Sequence, residues 1–462
     1  MLRVMIIDRS NPIFAIWVRK LADHVRDLDV RLVFVSDKEK SEVKENLEVI
    51  NINDVPPRHD VEYFQRKFPF SLHKLLVPER SFFDYSSFRK CQRYSDLSLE
   101  QVAATITPYL NAFDLVVSEK ADFVLEGLAD NFMTALAVRI AGFYGKGRAM
   151  MFAYYWWRDG VLTVDRPDQT SSAIDARYEY YMANPGRIDR DMMDQVFGEK
   201  RATFQFKGGG VYPLRLRLKQ LIARSRSYEP ISWKNWMCRK ISAISSRMMI
   251  RAFIRQDNAK RDEPYVVFPL QVSPEATLLG SVPELADQLW LIKNISMNLP
   301  FGVKLYVKDH PSQPVGQGLD FGFYRRLQSL PNVKLIKAGA NLAQMLDDRQ
   351  CLAVAVINGT VGLEAARKKK PVFVFGKAIY GHAECFLKPK DFEEFYRQLR
   401  SIQENRFTFN ETALYAMLHA LDDNVVRANV DFSRYSSWAD MVLGSLPIYK
   451  AYFQSLLDKN RS

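Results

Sequence analysis

The chain is poor in cysteine, has no long apolar run and carries few acids for its bases. Four cysteines (Cys91, Cys238, Cys351, Cys385) are scattered over 462 residues without a CxxC pair. That spacing argues against a disulfide framework or a zinc ribbon and for reduced, mostly buried thiols in a reducing compartment. No stretch approaches the ~20 apolar residues that a membrane span needs. The opening MLRVMIIDRS breaks at Asp8 after a short apolar run, so it reads as a first β-strand rather than a secretory leader. A cytoplasmic protein, or one peripheral on the inner membrane, is the expectation. Internal repeats and low-complexity tracts are absent as well, which excludes a solenoid.

What is present is an ordinary globular composition, 47% hydrophobic and 26% charged, long enough for two or three domains. The net charge is +12 and the pI about 9.3. Such a balance favours anionic partners, phosphates or acidic lipid ahead of nucleic acid, which is not expected here. The charge is concentrated: Arg215 to Arg261 holds thirteen Lys/Arg against Glu229 and Asp257. Trp233 and Trp236 lie within it. Basic residues interleaved with Trp and Leu suit an anionic membrane surface, or equally an interdomain helix pair.

Hydrophobic patterning divides the chain into 1–206, an α/β unit; 207–262, a basic helical linker opened by Gly208-Gly209-Gly210; 263–390, a second α/β unit; and 391–462, helical. In the first unit the strand candidates are Arg3–Ile7, Arg31–Val35, Leu47–Ile50 and Leu115–Val117. A helix is expected over Ile13–Val25 and another from Asp130 to Ile140, and Asp60–Tyr94 reads as an insertion. Glu126 is placed on the loop entering that second helix, and Asp159 at the tip of a hairpin; both are also what a solvated loop acid looks like. Asp189 and Asp191 form a DxD pair, but with no strand before them they read as helix surface rather than a metal clamp.

The second unit carries the chemistry. KLYVKDHP ends an apolar strand, and VAVINGTVGLEAARKKKPVFVFG follows about forty residues later. With six histidines in all, an HP at a strand end is uncommon by chance. The first turn offers Lys308, His310 and Pro311. The second offers Asn358, Gly359 and Thr360 where a helix begins, with Glu364 one turn on along the same face. Two anion-accepting turns at neighbouring strand ends of a parallel sheet make a nucleotide pocket. Gln271 and Glu275, on the first loop of this unit, are placed to line the cleft opposite, and Gly376 and Tyr380, after the last strand, to close over the base. His310 and Glu364 are also what a satisfied loop histidine and an ordinary first-turn acid look like.

The order strand–HP, strand–(N/S)(G/S)(T/S)xGxEA, PVxxxG resembles the bacterial capsule polysaccharide biosynthesis proteins, a family that includes Kdo transferases and shares its HP-plus-hydroxyl signature with bacterial sialyltransferases. The resemblance is clearest from Tyr265 to Tyr380. It implies a GT-B-like α/β fold, two Rossmann-like domains facing a cleft, with a helical linker and a helical C-terminus whose last helix crosses back to the first domain. It implies a glycosyltransferase that takes a CMP-activated keto sugar, Kdo or a sialic acid, to a surface polysaccharide or glycolipid acceptor. Lys308, His310, Pro311, Asn358, Gly359, Thr360, Glu364 and Gln271 would hold the donor nucleotide. Glu126, and after it Asp159, would supply the catalytic carboxylate. No metal and no other cofactor is expected. The turn departs from the family in having Asn358-Gly359-Thr360, one hydroxyl fewer than Ser-Ser or Ser-Thr, which leaves room for a UDP- or dTDP-sugar or for a polyol-phosphate transferase of the same layout. A non-catalytic, basic, membrane-associated binding protein is the rival from another class.

Overall fold

A computed structural model describes residues 1–8, 12–75, 98–126, 132–150, 160–198 (save 163, 167 and 169), 233–257, 262–311 (save 274 and 275), 313, 319–427 and 442–461. Short runs of Val, Ile and Leu become strands where both faces of a parallel sheet are buried. In chain order these are β1 (Leu2–Ile7), β2 (Val30–Ser36), β3 (Glu42–Val43), β4 (Leu47–Asn51), β5 (Phe123–Glu126), β6 (Gly147–Met150) and β7 (Gly160–Leu162). Then come β8 (Tyr265–Pro269), β9 (Lys304–Lys308), β10 (Val333–Ile336), β11 (Cys351–Val356), β12 (Val372–Val374), β13 (Phe386–Leu387) and β14 (Val425–Arg427).

They form two sheets. The first runs β14-β7-β6-β5-β1-β2-β4-β3 and the second β10-β9-β8-β11-β12-β13. The second pairs in parallel throughout; the first is parallel from β6 to β4, with antiparallel pairs at its ends. Side-chain alternation sends Val4 and Ile6 to one core and Met5 and Ile7 to the other. In the second sheet Tyr265, Val267 and Tyr306 face one layer, and Val266, Phe268, Leu305 and Val307 the opposite one. In each sheet the strand order reverses at the first strand, β1 between β2 and β5, and β8 between β9 and β11. Ligands of open α/β sheets bind outside the strands' carboxyl ends at such a reversal. Two Rossmann-like units of this kind are a GT-B-like layout.

Some boundaries differ from expectation for local reasons. Leu115–Val117 is not a strand: the Leu99–Leu115 helix leads directly into a wider turn over Val116–Lys120, and Leu110, Phe113, Val116 and Val117 are buried along it. The strand lies further on, so Glu126 is its last residue rather than a loop acid. The stretch from Pro283 to Met297, apolar at helical spacing, is not one helix, because the Asp287 carboxylate accepts the N–H groups of Leu289 and Trp290 and starts the Gln288–Met297 helix there. Asp189 likewise accepts the Met192 N–H and caps the Arg190–Gly198 helix, and Asp191 is exposed, as a helix-surface reading of the pair requires.

The C-terminal region is not helical throughout. After the Glu411–Asp423 helix the chain forms β14, which pairs antiparallel with β7 at the edge of the first sheet. The Leu446–Arg461 helix then packs on Pro12–His24, with Trp17 and Tyr449 edge to face at 5.1 Å and Lys450 paired with Asp27 at 2.7 Å. The final helix does cross back to the first unit. The traffic runs both ways: Ile174, Tyr178, Tyr181, Met193 and Phe197, from helices Ser172–Ala183 and Arg190–Gly198, share one core with Tyr265, Val354 and Leu418. Cys351 and Cys385 are buried free thiols, pushed up to about 12 by burial.

Gly376, directly after β12, is a point of close approach. A Cβ placed on it would lie 2.8 Å from the Ile357 carbonyl oxygen and 2.7 Å from the Ile357 Cγ2. The obstacle is partly backbone, which cannot rotate away. Gly376→Ala is expected to cost about 1–3 kcal/mol, measured as a lower thermal midpoint; an unchanged midpoint would show that β11 and β12 separate freely there.

Candidate active site

Three turns meet at the carboxyl edge of the second sheet, one after each of β9, β8 and β11. The central one, Gln271 to Ser273, is held by side chains that imitate strand pairing. Gln288 accepts the Gln271 N–H at 2.8 Å and donates to the Gln271 carbonyl at 3.1 Å. Gln313, just past the HP turn, does the same for Ser273 at 2.7 and 3.2 Å. Both glutamines are buried, so their amides exchange bonds with backbone rather than water. The Leu270 N–H donates to the Lys308 carbonyl at 2.9 Å, which ties the ends of β8 and β9 together.

Within KDHP each residue has a separate task. Asp309 accepts the Tyr324 hydroxyl at 3.1 Å on both oxygens and the His310 N–H at 3.0 Å, which fixes the turn's backbone. Burial pushes its carboxyl above the usual range. The Gln313 N–H closes the turn onto the His310 carbonyl at 3.0 Å. His310 is half-buried, and burial, with the nearby Lys308 charge, lowers its proton affinity. Pro311 is exposed. Lys308 is buried, and its Nζ donates to the Ala338 carbonyl at 2.8 Å, past the end of β10. As the last residue of β9 it obeys the pleat and shares a face with Tyr306.

The β11 turn abuts the β8 turn. A Cβ on Gly359 would lie 2.9 Å from Gln271 Nε2, so glycine is what lets the two turns touch. Tyr380 is buried and donates its hydroxyl to the Gly359 carbonyl at 2.5 Å; a Cβ on Gly362 would collide with that hydroxyl. Asn358 reaches sideways, donating to the Ser281 hydroxyl at 3.0 Å. Thr360 is exposed at the N-cap of the Val361–Arg367 helix, and its hydroxyl makes no capping bond. Glu364 is exposed one turn on. His310, Gln271, Gly359 and Thr360 therefore come from three adjacent strand ends, with Tyr380 beneath them.

In the first sheet Glu126 closes β5 beside β1, in the register Ile6 to Leu125. The next residue of the β1 chain after Ile7 is Asp8, 96% buried, which accepts the Ser36 hydroxyl at 2.5 Å. A carboxylate at this switch point escaped the sequence reading, where Asp8 served only to end an apolar run. Asp159 and Glu275 lie outside the described residues, as does the linker before Trp233. Among the described residues no three His, Cys, Asp or Glu side chains gather as a metal-binding group.

The Lys308 contact carries a prediction. Lys308→Met removes a buried ammonium whose proton affinity burial already lowers. Stability at pH 7 is expected within about 1 kcal/mol of wild type, since buried charges are often replaced at little cost. The unfolded chain holds the Lys308 proton more tightly than the folded one, so wild type gains on the variant as pH rises towards 10.5. Nucleotide affinity should hold within about threefold if the ammonium stays on Ala338; a larger loss would show that it swings to phosphate.

No curated protein matches the chain. Among solved structures it is similar to the Thermosulfurimonas dismutans KpsC β-Kdo 2,7 transferase, at 13% identity and a TM-score of 0.35 over 83% of this chain and 98% of that one. The β-Kdo 2,4 transferase of the same KpsC gives 15% and 0.32 over 65% and 80%. The S. aureus MnaA–UDP structure gives 13% and 0.27 over 92% and 93%. At such scores these likenesses carry nothing about the site. The region that holds the turns does carry a likeness: residues 224–386 match the capsule polysaccharide biosynthesis protein family, the one that the HP and Asn-Gly-Thr turns resemble.

Proposed function

We propose that this chain is a glycosyltransferase of capsule polysaccharide biosynthesis that moves a sugar, Kdo or a related keto sugar, from a CMP-activated donor to a polysaccharide or lipid-linked acceptor. The observation that supports it is the contact of three turns at one sheet edge, with His310, Gln271, Gly359 and Thr360 brought together by the Gln288, Gln313 and Tyr380 bonds. Transfer breaks the bond between the anomeric carbon and the phosphate oxygen and leaves negative charge on the departing nucleotide. Fixed donors aimed at that oxygen stabilise the charge as it develops. The His310 imidazole, the Thr360 hydroxyl and the Gln271 amide are donors of this kind, and one phosphate is what two modest turns suit. The acceptor hydroxyl forms the new bond and gives its proton to a carboxylate, for which Glu126 is the first candidate and Asp159 the second. In this reading the reaction needs no metal, and the protein works peripherally at the inner membrane.

Thermal-shift titration with CMP, CDP, UDP, GDP and dTDP, with and without magnesium, tests the reading. Binding at a hundredfold excess over Kd adds ~2.7 kcal/mol of stability. A shift with CMP, independent of magnesium, is the expected result. A shift with UDP or dTDP alone would replace the donor, and no shift with any nucleotide would overturn the transferase.

A further inference from the structure

The helix Trp233–Phe253 presents an apolar face to solvent. Ile241, Ile244 and Met248, spaced three and four apart and so on one stripe, are 60%, 57% and 66% exposed. The opposite face is the docked one: Ser246 and Ile250 are each 7% exposed, and the Ser246 hydroxyl accepts the Phe321 N–H at 3.0 Å. Exposed Arg247 and Arg251 flank the stripe. From Trp233 to Gln256 the sequence has Lys234, Arg239, Lys240, Arg247, Arg251 and Arg255, and not one acid. No helix among the described residues is long and apolar enough to cross a membrane.

The placement of this helix gives the stripe a direction. Ser246 meets Phe321 at the start of the Phe321–Gln328 helix, and Gln328 at its end donates to the Arg255 carbonyl at 2.6 Å, so the two helices run side by side in the same sense. The Phe321–Gln328 helix returns from the end of β9 to the start of β10, and therefore begins at the sheet's carboxyl edge. Ser246 is thus level with the edge that carries the HP turn. The residues from Trp233 to Ser245 extend past it by ~20 Å at the helical rise.

We propose that this face docks on an anionic lipid bilayer, with Ile241, Ile244 and Met248 entering the headgroup boundary and Arg247 and Arg251 on the lipid phosphates, so that the HP-turn edge is held at the membrane. Charge complementarity selects this occupant: a second copy of the chain would set the exposed Arg247 and Arg251 against their own counterparts, whereas acidic headgroups neutralise them. The proposal rests on the transferase reading above, in the branch where the acceptor is lipid-linked, and it names the surface that brings the site to it.

Flotation of the full chain with vesicles of phosphatidylcholine alone, or mixed with phosphatidylglycerol, tests it. Wild type should float with the mixed vesicles only. The solvent-facing pair Ile244→Ser and Met248→Ser should lower partitioning roughly tenfold or more, and so should Arg247→Glu with Arg251→Glu. The CMP thermal shift of both variants should equal that of wild type, which shows them folded and binding nucleotide. Equal flotation on neutral and anionic vesicles, unaltered flotation of the variants, or a wild-type dimer that the Ile244/Met248 pair dissolves would each overturn the docking face. Failure of the transferase reading looks different: no nucleotide shift in any form, whatever the vesicles do.

Discussion

His310→Ala is expected to weaken binding of the donor nucleotide by roughly ten- to a hundredfold, the worth of a hydrogen bond to a charged group. The loss in turnover should be larger, about 10²–10³-fold, because the phosphate gains charge as the bond breaks. The variant should fold. The turn's backbone is held by Asp309, Tyr324 and Gln313, none of which depends on the imidazole. The pH profile separates a phosphate ligand from a spacer. Burial and the Lys308 charge lower the His310 proton affinity, which favours the neutral imidazole in the free protein. A bound anion favours the protonated form, so affinity for a cytidine 5′-phosphodiester should rise as pH falls from 7.5 towards 6. Such a diester has no phosphate proton of its own to gain there, unlike CMP, whose monoester titrates near pH 6. The rise should vanish in His310→Ala. Equal affinity of the two proteins across that range would remove His310 from the site.

Glu126→Gln should lower kcat by about 10²–10⁴-fold while nucleotide affinity stays at the wild-type value, the pattern of a lost proton acceptor. The motivation is position: Glu126 ends β5 beside β1, where the order of the first sheet reverses. Asp8 is the comparison. Its carboxylate takes the Ser36 hydroxyl, and the same hydroxyl oxygen accepts the N–H groups of Lys38 and Glu39, so Asp8 shapes the loop after β2. Asp8→Asn is expected to lower stability more than rate. A wild-type rate in Glu126→Gln, with the large loss in Asp8→Asn, would move the base to Asp8.

Much of the second unit was readable because its signals are local. β8 to β12 each follow a run of Val, Ile, Leu, Phe or Tyr bounded by turn residues, and the HP and Asn-Gly-Thr motifs stand at the ends of two of them. The first unit was harder. Leu115–Val117 and Phe123–Glu126 are both short apolar runs, and periodicity cannot tell a helix end from a strand at that length. β14 is three residues at a sheet edge, and only its pairing with β7, some 260 residues earlier in the chain, makes it a strand.

The site divides the same way. Sequence alone determined that His310, Asn358, Gly359 and Thr360 lie in turns after buried strands, since strand, turn and helix start are each set by neighbouring residues. It could not determine where Lys308 points. That depended on β9 running one residue further than the apolar pattern, so that the pleat turned the ammonium onto the Ala338 carbonyl. Nor could it foresee Gln288 and Gln313 completing the β8 turn, Tyr380 beneath Gly359, or the bare outer stripe of the Trp233–Phe253 helix. Each of these is a contact between segments distant in sequence, or the absence of one, and no local pattern encodes which surfaces will meet. The residue types that can hold a phosphate were written in the chain. Their convergence at one sheet edge came from tertiary packing, which alone brings the ends of separate strands side by side.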